Sequence, residues 1–140
     1  MNSVQLEDLK KMMFGMKEEW ENGTFDGYYR SILMGEPTYT EVDIPAIEKY
    51  IQMNAFGNPN PGPMNIMLGF FYGEILVRNL PKAKWVFKKN PKSWSDFYVE
   101  WKRKGQKFSV LPFSRVVRYG QDETATLGSL LEFGKNVSKK

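Results

Sequence analysis

The sequence predicts an α+β domain: N-terminal helices, a buried central helix, a three-stranded or slightly larger antiparallel sheet, and a C-terminal helix. Three observations carry this reading. Apolar residues recur at helical spacing over the first 80 residues, the period then falls to two, and helical spacing returns near the end. Helices followed by strands, without strict alternation, is the pattern of α+β rather than α/β folds. The 140 residues are read as one domain, 1–140, with 41% hydrophobic and 15% aromatic side chains to build its core.

The first helix follows from Leu6, Leu9, Met13, Met16 and Trp20, which step by three and four along one stripe. Ser3 is its expected N-cap and Gly23 its stop. "YYRSILM" reads as a short second helix. Asp43 is the expected N-cap of a third, about 43–55, with Pro45 in the first turn, where a missing N–H costs nothing. A stiff connector, "NAFGNPNPGPMN", leads into a helix from Met64 to about Asn79 whose apolar residues lie nearly all round the wheel. Gly69 and Gly73 leave one edge of that helix bare, so another part of the chain can pack closely on it.

After Pro81, Trp85 and Phe87 point one way while Lys84, Val86 and Lys88 point the other. Phe97, Val99 and Trp101 likewise alternate with Tyr98, Glu100 and Lys102. "FSVLPFSRVVRY" reads as a third strand broken or bulged near Pro112. The meander is thus apolar on one face and basic on the other. Leu127, Leu130, Leu131 and Val137 then fit a C-terminal helix.

Composition excludes whole classes of chemistry. Without cysteine there are no disulfides, thiolate metal sites or thiol nucleophiles, and without histidine no Ser-His-Asp or Cys-His relay. The start lacks a basic segment followed by an apolar core, so no secretory signal is expected. The longest apolar run, 66–77, contains Glu74 and falls short of the roughly 20 residues a bilayer requires. A cytoplasmic protein that does not enter a membrane is the expectation. Charge is segregated. Residues 1–50 hold ten acidic and five basic side chains, net −5, whereas residues 51–140 hold six and fifteen, net +9.

No pair of carboxylates shares an evident helix face at the spacing that acid–base catalysis needs, and no metal or cofactor signature is present. The sequence therefore reads as that of a non-enzymatic protein without a cofactor, whose partner is another protein. Glu74 is the polar group to explain. Arg78 stands one turn on, in the favoured acid-before-base order, and Trp85 follows across the turn. The three form either a structural tie between helix and sheet or the wall of a small-ligand pocket. A third option is nucleic acid. Residues 82–107 interleave cations such as Lys88, Lys89 and Arg103 with aromatics such as Trp94, the combination that single-strand binders use. Alternation places most of those rings opposite the lysines, which leaves Trp94 and Tyr98 as the candidates for exposure.

The stretch "LGFFYGEILVRNLPKAKWV" resembles a set of small uncharacterised bacterial domains, through Leu68, Gly69, Gly73, Glu74, Arg78, Lys84 and Trp85. "DIPAIEKYI" and "FSVLPFSRVVRY" extend the likeness over about residues 40–130. Some proteins of this look are similar to immunity proteins of bacterial toxin systems. The resemblance implies kinship of fold and no catalytic residue.

Overall fold

Four helices precede the sheet in a computed structural model that describes residues 3–54, 63–93 and 96–121. The helices are α1 (Ser3–Glu21), α2 (Asp26–Leu33), α3 (Ile44–Asn54) and α4 (Pro63–Asn79). Strands β1 (Lys84–Phe87), β2 (Phe97–Arg103) and β3 (Gln106–Val110) pair antiparallel in the order β1-β2-β3, and α5 (Pro112–Gln121) closes the described chain. The α+β class holds, with three strands. None of the described helices is long and apolar enough to cross a membrane.

The core is organised around α4. Ile66, Leu68, Phe70, Phe71, Tyr72, Ile75 and Leu76 are all buried, as a helix apolar on every side requires. Each such side chain contributes roughly 1.5–3 kcal/mol by leaving water. Against α4 lie α1, α5 and the inner face of the sheet. On β2, Phe97, Val99 and Trp101 are buried and Lys102 is exposed, but Glu100, on the same face as Lys102, is buried as well. Cross-strand partners Trp85–Val99–Val110 and Trp101–Phe108 set the inner face in layers. α1 reaches the same layer through Phe14, whose ring meets Phe97 edge-on at 5.9 Å.

The close packing on Gly69 and Gly73 comes from aromatic rings. A Cβ at Gly69 would stand 2.3 Å from Phe113 Cδ1, and one at Gly73 only 2.0 Å from Trp85 Cη2. The bare edge of α4 is thus a seat for one ring from α5 and one from β1.

Two expectations are corrected. The third strand does not run past Pro112; it ends at Val110 and the chain turns into α5. Proline's fixed φ and missing N–H suit the first turn of a helix and not a sheet ladder, and Phe113 and Val116, three apart, are both buried. Nor does Asp43 cap α3. Its buried carboxylate turns back and accepts from the Thr38 and Tyr39 amides at 2.9 and 2.8 Å and from Thr38 Oγ1 at 3.0 Å. The capping oxygen there is Thr40 Oγ1, which accepts from Val42 N at the single 3-10 turn Glu41–Asp43. The expected helix at 127–137, most of the Pro/Gly connector, and Trp94 lie outside the described residues.

Candidate binding groove

Glu74 sits where α4 meets β1. Its side chain is 18% exposed, and both oxygens are engaged: Arg78 Nε donates to Oε1 and Trp85 Nε1 to Oε2, each at 3.1 Å. The Arg78 guanidinium also lies 3.8 Å from the centre of the Tyr39 ring, a cation–π contact. Tyr39 stacks on Phe71 at 5.1 Å, and its carbonyl accepts from Asn79 Nδ2 at 2.8 Å. Trp85 in turn packs against Phe87, Phe70 and Trp20 at ring-centre distances of 5.3, 5.8 and 5.6 Å. The structure thus brings Glu74, Arg78 and Trp85 together and surrounds them with rings. The carboxylate joins a helix to a strand, with its hydrogen bonds going to neighbours in the fold.

The other sequence-selected residues do not gather there. Lys88 pairs with Asp96 at 3.3 Å at one end of β2, beside the exposed Lys89. Arg103 is at the other end, six residues on, or about 20 Å by strand rise. The Asp96 carboxyl is held below its ordinary value, first by the Lys92 amide, which donates at 2.6 Å, and then by Lys88.

The open space lies among the helices. A groove of about 600 Å³ takes Lys11, Met12, Gly15, Met16 and Glu19 from α1, Tyr28 from α2, Tyr50 from α3, and Met64 and Met67 from α4, with Phe25 ahead of α2. The spacing explains the α1 contribution: Lys11, Gly15 and Glu19 form one i,i+4 row, and Met12 and Met16 the next. The adjoining row of the same helix carries the buried Leu9 and Met13, against which Met12 and Met16 pack. Gly15 makes the room, since a Cβ built on it meets nothing within 4 Å. The α2 side is fixed by Tyr29, whose buried hydroxyl donates to the Met67 carbonyl at 2.7 Å. Burial pushes that phenol's pKa well above its ordinary value. Tyr28, next along, is turned outward, and Met53 and Met64 are exposed near the end of α3 and the start of α4.

Four of the chain's eight methionines line this groove. Methionine is unbranched and polarizable, so such a wall adapts to apolar side chains of differing shape. The volume falls within the range of ligand-binding clefts. Lys11 and Glu19 supply opposite charges two turns apart on α1, and the two tyrosines bring phenolic groups into the lining. Among the described residues no group of three acidic side chains is placed to hold a metal ion. The sequence stripe placed Met16 in the core and left Met12 unassigned. The available signal was the Met12–Met16 pair one turn apart beside a helical glycine.

No protein-family model, curated protein or solved structure matches this chain.

Proposed function

We propose that the protein acts by binding, without catalysis, and that its partner is another protein whose apolar side chains enter the methionine-lined groove. The groove itself is the observation that carries this reading: apolar surface left open in a fold that elsewhere fills its space with rings. An amphipathic helix laying its apolar face into a groove is a common mode of such recognition. The arrangement at Glu74 supports the same view from the other side, because each of its carboxylate oxygens already accepts from a neighbour in the fold. Most of the residues that carry the resemblance to small bacterial domains have packing roles, the exposed Lys84 apart. Gly69 and Gly73 seat rings, and Glu74, Arg78 and Trp85 form the tie. An immunity-type or regulatory role is therefore a proposal that rests on the likeness alone.

A photo-crosslinking side chain in place of Tyr28, which is 60% exposed at the groove, tests the reading in lysate of the native source. The expected result is adducts to one partner, mapped to an apolar segment of it. These adducts should be lost when Gly15→Leu fills the groove and kept in Lys84→Glu on the sheet. Adducts indifferent to Gly15→Leu would overturn it, as would a small molecule seen by native mass spectrometry to occupy the groove and leave with Gly15→Leu.

A further inference from the structure

The outer face of the sheet concentrates cations. Lys84 lies opposite Glu100, Glu100 opposite Ser109, and Lys102 opposite Lys107, so all five residues point away from the inner layer of Val99, Trp101 and Phe108. The Lys102 amide donates to the Pro81 carbonyl at 3.2 Å, which sets Lys82 alongside, and the β2–β3 turn adds Lys104. Lys82, Lys84, Lys102, Lys104 and Lys107 are all exposed. The one carboxylate among them, Glu100, is 6% exposed and held by Lys107 at 3.3 Å. Lys82, Lys84 and Lys102 have no carboxylate partner among the described residues.

Three features of this patch work against stability. Lys102 and Lys107 are like charges placed directly across a strand pair, which is unfavourable. Lys82 and Lys104 have φ of 53° and 48°, in the left-handed region where a side chain costs roughly 1–2 kcal/mol and glycine or asparagine would sit more easily. Lys82, Lys84 and Lys102, none of them ion-paired among the described residues, also repel one another. The other end of the sheet is arranged differently, with Lys88 paired to Asp96. A charge cluster that destabilises the fold is accounted for by an anion that meets it from outside.

We infer that this face binds the phosphate backbone of a single-stranded nucleic acid without sequence preference. Lysine heads on flexible stems are point charges suited to successive phosphates, whereas bidentate carboxylate recognition favours arginine. Tyr98 lies two residues before Glu100 on the same face, half-buried, and offers a ring on which a base can stack. Affinity on this face comes from charge and falls steeply with salt.

Fluorescence anisotropy of a labelled oligothymidylate, titrated at several salt concentrations, tests this. Binding is expected at low salt, with a log–log salt slope of about −3 for about four phosphate contacts on a single strand. Lys84→Glu and Lys102→Glu, both at exposed positions, should each weaken binding about tenfold and flatten the slope. Tyr98→Ala should weaken the single strand more than a duplex of the same length. Absence of binding at low salt would overturn the inference, as would affinity unchanged in both lysine variants. Polyglutamate displacing the oligonucleotide as readily as unlabelled oligothymidylate would overturn it in favour of an acidic protein surface.

Discussion

Gly73 and Gly15 are both interior helical glycines, and their surroundings are opposite. At Gly73 the missing side chain is replaced by the indole of Trp85; at Gly15 nothing replaces it. Around the first, hydrogen bonds and rings close on one another, from Glu74 to Trp85 and Arg78, and from Trp85 to Phe70 and Trp20. Around the second, methionines and tyrosines face open space. One kind of residue thus does two jobs: a glycine under a ring belongs to folding, and a glycine with no neighbour makes room for something else.

The sharpest way to break this comparison is to add one methyl group at each place. Gly73→Ala should destabilise the protein by about 3 kcal/mol in denaturant unfolding, since the indole must shift within a packed core. Gly69→Ala, facing Phe113, should act in the same direction. Unchanged stability in both would mean that the rings are not seated as described.

Next in size is the alkaline limb. Burial raises the phenol pKa of Tyr29 and Tyr72 far above the ordinary 10.0. Below about pH 10 neither state ionises and the contribution of both residues is complete. Above it the unfolded chain loses these protons and the fold does not, so stability falls with rising pH, by about 1.4 kcal/mol per pH unit for each tyrosine. Unfolding free energies measured from pH 9 upward should show the decline, and Tyr29→Phe with Tyr72→Phe should flatten it.

Glu74→Ala follows, at about 1–2 kcal/mol, because it strips the Trp85 N–H of its acceptor. Thermal unfolding of Glu74→Ala against Arg78→Ala apportions the tie: the arginine, about half exposed, should matter less. Gly15→Ala should move the other way and raise stability by about 0.5–1 kcal/mol, the ordinary helical advantage of alanine over glycine where no clash opposes it. The smallest effect is at low pH. Asp96 has a lowered pKa in the fold, so its contribution is present above the ordinary 3.8 and is lost as pH falls through the folded value. Asp96→Asn should remove that part of the acid slope.

What was legible in the sequence was local. The α4 wheel, the β1 and β2 alternation, and the Glu74–Arg78 spacing each depend on residues within a turn or a strand, and each is present. The Glu74–Trp85 bond was readable as one of two alternatives, because a single turn separates helix from strand. Pro112 reads as strand because alternation continues through "FSVLPF", and the helical pair Phe113–Val116 begins only at the last of those letters. Asp43 reads as a cap because an aspartate before a helix has the same spelling whether it faces forward to the first turn or back to the loop. The local trace of the groove is slight, the Met12–Met16 pair beside Gly15. The groove is a gap among four helices, and which side of α1 is covered depends on where α2, α3 and α4 come to rest.

The most direct test of the central claim is the paired measurement of stability and of the Tyr28 crosslink in Gly15→Leu. Leucine is a good helix former, and its side chain has open space to enter. The prediction is a protein at least as stable as the parent that no longer gives the partner adduct. A Gly15→Leu protein that folds normally and crosslinks as before would contradict it.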